Sequence, residues 1–144
     1  MDINKNFTPE FFYKLGLEHL PHHLGIHVTE VDKGKLVAEF QISKQLLAPN
    51  DFLHAGSIVA LADTAAGYGC VANLPDGASG FTTIELKSNF MGTARSGTVE
   101  CTATATHLGK STQVWDATVI DKDSSKTIAL FRCTQLILFP KADE

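Results

Sequence analysis

The stretch Leu53-His54-Ala55-Gly56-Ser57-Ile58-Val59-Ala60-Leu61-Ala62-Asp63-Thr64-Ala65-Ala66 constrains this chain more than any other. Its small and apolar residues read as a buried helix from about Ala55 to Ala72, stopping near Asn73-Leu74-Pro75-Asp76-Gly77. A helix with so little polar face must be wrapped by other structure. Inside it sits one carboxylate, Asp63, with no Lys or Arg close in sequence. An ionised carboxylate on an apolar face costs on the order of several kcal/mol unless paired or hydrogen-bonded. A reactive group is one reason to bear that cost.

The remaining pattern supplies the wrapping. Thr8-Pro9-Glu10 reads as an N-cap with proline at the first helical position, opening a helix to about Leu17 that presents Phe11, Phe12, Leu15 and Leu17. Pro21 closes that region, so the N-terminal helical part spans about residues 8–20. Ile26 to Val31 is a strand, joined through the turn Asp32-Lys33-Gly34 to a second in which Leu36, Ala38, Phe40 and Ile42 alternate with polar residues. After the long helix come four more strands, Phe81 to Met91, Thr98 to His107, Ser111 to Asp121 and Thr127 to Phe139. The order is helix, two strands, long helix, four strands. Hairpins dominate, so the class is α+β with an antiparallel sheet around the helix. At 144 residues, with no linker or repeat, the chain reads as one domain over 1–144, its core about residues 24–139.

Composition narrows function mostly by exclusion. A net charge of -4 argues against nucleic-acid phosphates as partners. The apolar run Ile58 to Asn73 is interrupted by Asp63 and two glycines and reads as too short to span a bilayer, so no membrane partner is expected. Met1-Asp2-Ile3-Asn4-Lys5-Asn6 lacks the pattern of a signal peptide, which points to the cytoplasm. Cys70, Cys101 and Cys133 form neither a disulfide framework nor a CxxC motif and read as small buried hydrophobes. His19, His22, His23 and His27 lack metal-ligand spacing and straddle Pro21, so no metal site is expected. Trp115 and Phe131 fall on alternating strand positions and read as core or interface.

Asn50-x-x-x-His54-Ala55-Gly56, followed by Leu61-Ala62-Asp63-Thr64, and the strand Phe81-Thr82-Thr83-Ile84-Glu85-Leu86-Lys87-Ser88-Asn89-Phe90-Met91 resemble one family. They look like a hotdog-fold acyl-CoA thioesterase of the phenylacetate-degradation group, and the resemblance runs from Leu24-Gly25-Ile26 to Phe139. That family writes His-Gly-Gly with an acid nine positions after the histidine, the spacing of His54 and Asp63 here. Ala55 replaces the first glycine but keeps its N–H.

The resemblance implies hydrolysis of an acyl-CoA, aryl or phenylacetyl-type or medium-chain, to free acid and coenzyme A. Coenzyme A is part of the substrate, and no separate cofactor is implied. Hydrolysis needs an activated nucleophile and an oxyanion stabiliser. Asp63 is the candidate nucleophile or general base. Ala55 and Gly56, at the helix N-terminus, offer N–H groups reinforced by the helix dipole. Thr83 matches a position that lies near the acid or the attacking water, Asn50 one near the thioester, and His54 one that holds the loop or contacts the carbonyl. Lys87, Arg95 and Lys110 are candidates for the coenzyme A phosphates by strand-end position.

Ala55 and Asp63 lie about 12 Å apart along one helix axis, so one carbonyl cannot touch both. The expectation is a homodimer with shared active sites, assembled as a dimer of dimers. The alternative is a non-catalytic acyl-CoA or aromatic-ligand binder on the same fold, since fold does not fix function; a hotdog dehydratase or hydratase is disfavoured, because its typical motifs are absent. Each site residue also has a bland reading: Asn50 as a turn former, His54 as a cap, Gly56 as packing, Thr83 as a β-former.

Overall fold

The computed structural model describes residues 7–142. Two helices, α1 (Pro9–Gly16) and α2 (Leu20–His23), precede β1 (His27–Asp32) and β2 (Lys35–Gln41). A 3₁₀ turn at Lys44–Leu46 leads to the long helix α3 (Ala55–Ala72). Then come β3 (Gly80–Phe90), β4 (Thr98–Leu108), β5 (Thr112–Asp121) and β6 (Thr127–Leu138). The strands form one six-stranded antiparallel sheet in the order β1-β2-β4-β5-β6-β3.

The sheet curves around α3, as the apolar helix requires. Ile58, Leu61, Ala62, Ala65, Ala66, Gly69 and Cys70 are buried on the helix. Of these, Ile58, Leu61, Ala62, Ala65 and Ala66 form one core cluster with Leu36, Ala38, Phe40, Val99, Cys101, Ala103, Ala117, Val119, Phe131 and Cys133 from the strands. At 18 residues and mean hydropathy 1.2, α3 is long and apolar enough to cross a membrane, contrary to the reading of the run as too short; half of it is buried inside the protein instead. Two contacts fix its depth and pitch. A Cβ on Gly69 would stand 2.7 Å from the Trp115 ring, so only glycine lets that indole lie against the helix. Gln113 Nε2 donates to the Asn73 carbonyl at 2.8 Å, while its Oε1 accepts from Trp115 Nε1. The C-terminus of α3 is thereby tied to β5.

The N-terminal region departs from the sequence expectation. Thr8 caps α1, its Oγ1 accepting from the Phe11 N–H at 3.1 Å. The helix ends at Gly16, and after a turn with Glu18 at φ 65° a separate short helix follows. Pro21 does not close this region. It sits in the first turn of α2, where its missing N–H had no helical partner to lose. Of the side chains expected to pack, Phe12 is buried and stacks on Tyr68 of α3; Phe11, Leu15 and Leu17 are exposed.

All three cysteines are buried. Burial pushes each thiol up to about 12. Trp115 and Phe131 both lie in the core.

Candidate active site

The N-terminus of α3 is held from two sides. The Leu53 N–H donates to Ala94 O at 3.1 Å, the His54 N–H to Leu46 O at 3.0 Å, and Ser57 Oγ to the same Leu46 carbonyl at 2.8 Å. His54 caps the helix, its Nδ1 accepting from the Gly56 N–H at 2.7 Å. Accepting at Nδ1 leaves the ring proton of the neutral imidazole on Nε2. A Cβ on Gly56 would stand 2.9 Å from that nitrogen, so the glycine admits the ring.

This geometry separates the two candidate oxyanion donors. The Gly56 N–H is committed to His54. The Ala55 N–H has no acceptor among the described residues and is exposed. It points along the positive end of an 18-residue helix. Asn50 lies in the preceding loop, where its Oδ1 accepts from the Phe52 N–H at 3.2 Å and shapes the turn, with Asp51 at φ 66°.

Asp63 lies two turns further along α3 and is partly buried. Its Oδ1 is buried and has no hydrogen-bond partner. Burial alone raises its pKa above the ordinary carboxylate value. The Cys133 thiol on β6 feels its charge. One turn on, a Cβ on Gly67 would stand 3.1 Å from the Phe81 ring of β3. An unpartnered, desolvated carboxylate is a strong base and nucleophile for its type.

Thr83 on β3 is half-buried, and its hydroxyl donates to Gln135 Oε1 at 2.6 Å. Just after it the strand carries a bulge: Thr83 pairs with Gln135 and Glu85 with Thr134, leaving Ile84 as the extra residue. The bulge resets the alternation, so Thr83 and Leu86 both share a face with inward side chains of β6. Bulges commonly re-aim a side chain beside a reactive centre.

The basic candidates separate in space. Arg95 stacks over the Phe52 ring at 4.0 Å, next to the entry of α3. Lys87 lies on the outer face of the sheet, opposite Arg132 in the β3–β6 register, in a groove shared with Asn89, Asp116 and Leu130. Lys110 sits in the β4–β5 turn. Among the described residues no group of three or more His, Cys, Asp or Glu side chains is placed to hold a metal ion.

A six-stranded antiparallel sheet wrapped on one long helix is the hotdog architecture, shared with solved thioesterases. The chain belongs to the thioesterase superfamily, whose family model matches residues 50–128. It is 34% identical over 115 residues to the 1,4-dihydroxy-2-naphthoyl-CoA hydrolase of Listeria monocytogenes, covering 80% of this chain and 92% of that one. It is 36% identical over 110 residues to the acyl-coenzyme A thioesterase PaaI of Escherichia coli, covering 76% and 75%. Among solved structures, the thioesterase HI1161 of Haemophilus influenzae superposes with a TM-score of 0.88 at 27% identity, covering 96% of each chain. The E. coli PaaI structure gives 0.81 at 26% identity, covering 95% and 94%. The protein is a thioester hydrolase, and the expected hotdog architecture is the one observed.

Proposed function

We propose that the protein hydrolyses an acyl-CoA, of aryl or phenylacetyl type or of medium chain length, to the free acid and coenzyme A. The observation that carries this reading is the buried, unpartnered Oδ1 of Asp63. The carbonyl oxygen of the substrate takes the Ala55 N–H, which is preorganised and open. Asp63 either attacks the carbonyl carbon, expelling the thiolate and leaving an anhydride that water cleaves, or removes a proton from water as that water attacks. His54 and Asn50 act by shaping the loop that presents Ala55. Arg95 is the favoured anchor for a coenzyme A phosphate, because it alone of the three basic candidates stands at the α3 entry. The chemistry draws on these groups and water with no added cofactor, and we assign the protein to the cytoplasm.

The two halves of this site belong to different subunits. Ala55 and Asp63 are about 12 Å apart along α3. The β3 strand is a sheet edge of 11 residues. It carries exposed Ile84, Leu86 and Phe90, the sort of edge that pairs with another chain. We infer a homodimer joined along this edge, with further pairing into a dimer of dimers.

The test is thiol release from a panel of aryl- and alkanoyl-CoA esters, with Asp63→Asn beside the parent. A loss of kcat on the order of 100-fold or more is expected; a parent-like rate in the variant would sink the assignment. Single turnover in labelled water separates the two routes: label in the Asp63 carboxylate means direct attack.

A further inference from the structure

Three polar side chains lie abreast on the inner face of the sheet. Gln113 of β5, Gln135 of β6 and Thr83 of β3 are register partners. Both glutamines are fully buried. A buried primary amide is costly unless its groups find partners. Gln113 has a structural reason, since it joins Trp115 to the end of α3. Gln135 has no such link. Its Nε2 donates to Cys133 Sγ at 3.4 Å, a weak acceptor that needs no donor. Its Oε1 accepts from the Thr83 hydroxyl at 2.6 Å. A leucine or methionine would fill the same volume and leave Cys133 at ease, so packing does not account for the amide. What the amide does is fix one proton, on Thr83. Phe81, two residues before Thr83 on β3, lies against Gly67, one turn past Asp63 on α3, and Cys133 lies within the field of Asp63, so the row stands on the side of α3 that bears the carboxylate.

We infer that Gln135 is a positioning residue for hydrolysis: it holds the Thr83 hydroxyl proton turned inward, so that Thr83 Oγ1 offers its lone pairs to the attacking water. A hydroxyl has one proton to give and two lone pairs. With the proton committed to Gln135, Thr83 accepts one hydrogen bond from the water while Asp63 faces the other proton. Where water attacks the thioester, the Asp63 carboxylate takes that other proton; where water cleaves the anhydride, Asp63 is acylated and Thr83 alone orients the water, the proton leaving with the carboxylates released. The inference rests on the reading of Asp63 given above and adds Thr83 to that site.

The test is a double-mutant cycle on kcat and KM with Gln135→Met and Thr83→Val. Each single change is expected to lower kcat on the order of tenfold with KM nearly unmoved. The double variant should fall no lower than the worse single one, because Gln135 acts only through Thr83. Gln135→Glu keeps an oxygen to accept from Thr83 and should recover kcat above Gln135→Met. Thermal unfolding accompanies every variant; should Gln135→Met not fold, Gln135→Asn, polar and too short to reach Thr83, replaces it in the cycle. Losses that multiply in the double variant, an unchanged kcat in the single one, or no recovery with glutamate would each overturn the inference. If instead Asp63→Asn keeps full activity, it is the assignment of the site that fails. A dead Asp63→Asn with multiplying losses removes only the role of Gln135.

Discussion

At the scale of single residues, the proposed chemistry reduces to one exposed N–H and one partly buried carboxylate. Ala55 occupies the first position of α3, where proline is well tolerated, and His54 before it has φ -65° and ψ 134°, a conformation that suits a residue preceding proline. Ala55→Pro should therefore keep the helix while deleting only the N–H. A fall in kcat on the order of 100- to 1,000-fold with an unchanged circular dichroism spectrum is expected; near-parental kcat would move the oxyanion donor elsewhere. Asp63 carries a second consequence, for stability. Its folded-state pKa is raised by burial, so the folded protein holds that proton more tightly than the unfolded chain does. The associated stability is full below the ordinary carboxylate range and is lost as pH rises through the raised value. Asp63→Asn stays uncharged throughout. It should unfold at a higher temperature than the parent at neutral pH, with the gap closing on acidification, as calorimetry would read. The acid limb of the kcat profile should lie above the range of an ordinary aspartate for the same reason.

At the scale of elements, the sequence was legible wherever one side chain pattern decided the outcome. The run of small and apolar residues between His54 and Asn73 gave α3 its observed limits, Ala55–Ala72. Strict alternation in β4, with Val99, Cys101 and Ala103 turned inward, placed that strand within a residue. Features set by two partners at once were not legible. The bulge at Ile84 depends on the register against β6, which the β3 residues do not encode alone. The commitment of the Gly56 N–H to His54 depends on a ring rotamer, and the partnership of Thr83 with Gln135 spans 52 positions. Gln135 was missed for that reason; a lone glutamine among inward-facing apolar residues was the available signal. The depth of α3 is likewise a pairwise property, of Gly69 and Trp115. Gly69→Ala would drive a methyl to 2.7 Å from the indole. It should lower stability by about 1–3 kcal/mol through overpacking, measurable in denaturant melts, whereas no loss would mean the ring can slide aside.

At the scale of the whole molecule, the proposed function divides its site between copies of the chain. Mixing offers a direct check. Asp63→Asn and Ala55→Pro homodimers should each be nearly inactive. After subunit exchange, mixed dimers hold one site with both groups intact, so about a quarter of the parental sites should return. No recovery after verified exchange would mean that each subunit carries a whole site. A lysine in place of Leu86, on the exposed edge strand, should shift sedimentation toward the monomer and remove activity together. The burial of Cys70, Cys101 and Cys133 has its own consequence at this scale. Every turnover of a thioester hydrolase liberates a thiol, and thiols exchange with disulfides through their thiolate forms. With its own sulfurs shielded and held near 12, this protein contributes almost no thiolate to that exchange. Should the released thiol be oxidised elsewhere to a disulfide, these sulfurs supply almost no thiolate to attack it, so the protein stays out of thiol–disulfide exchange with that pool.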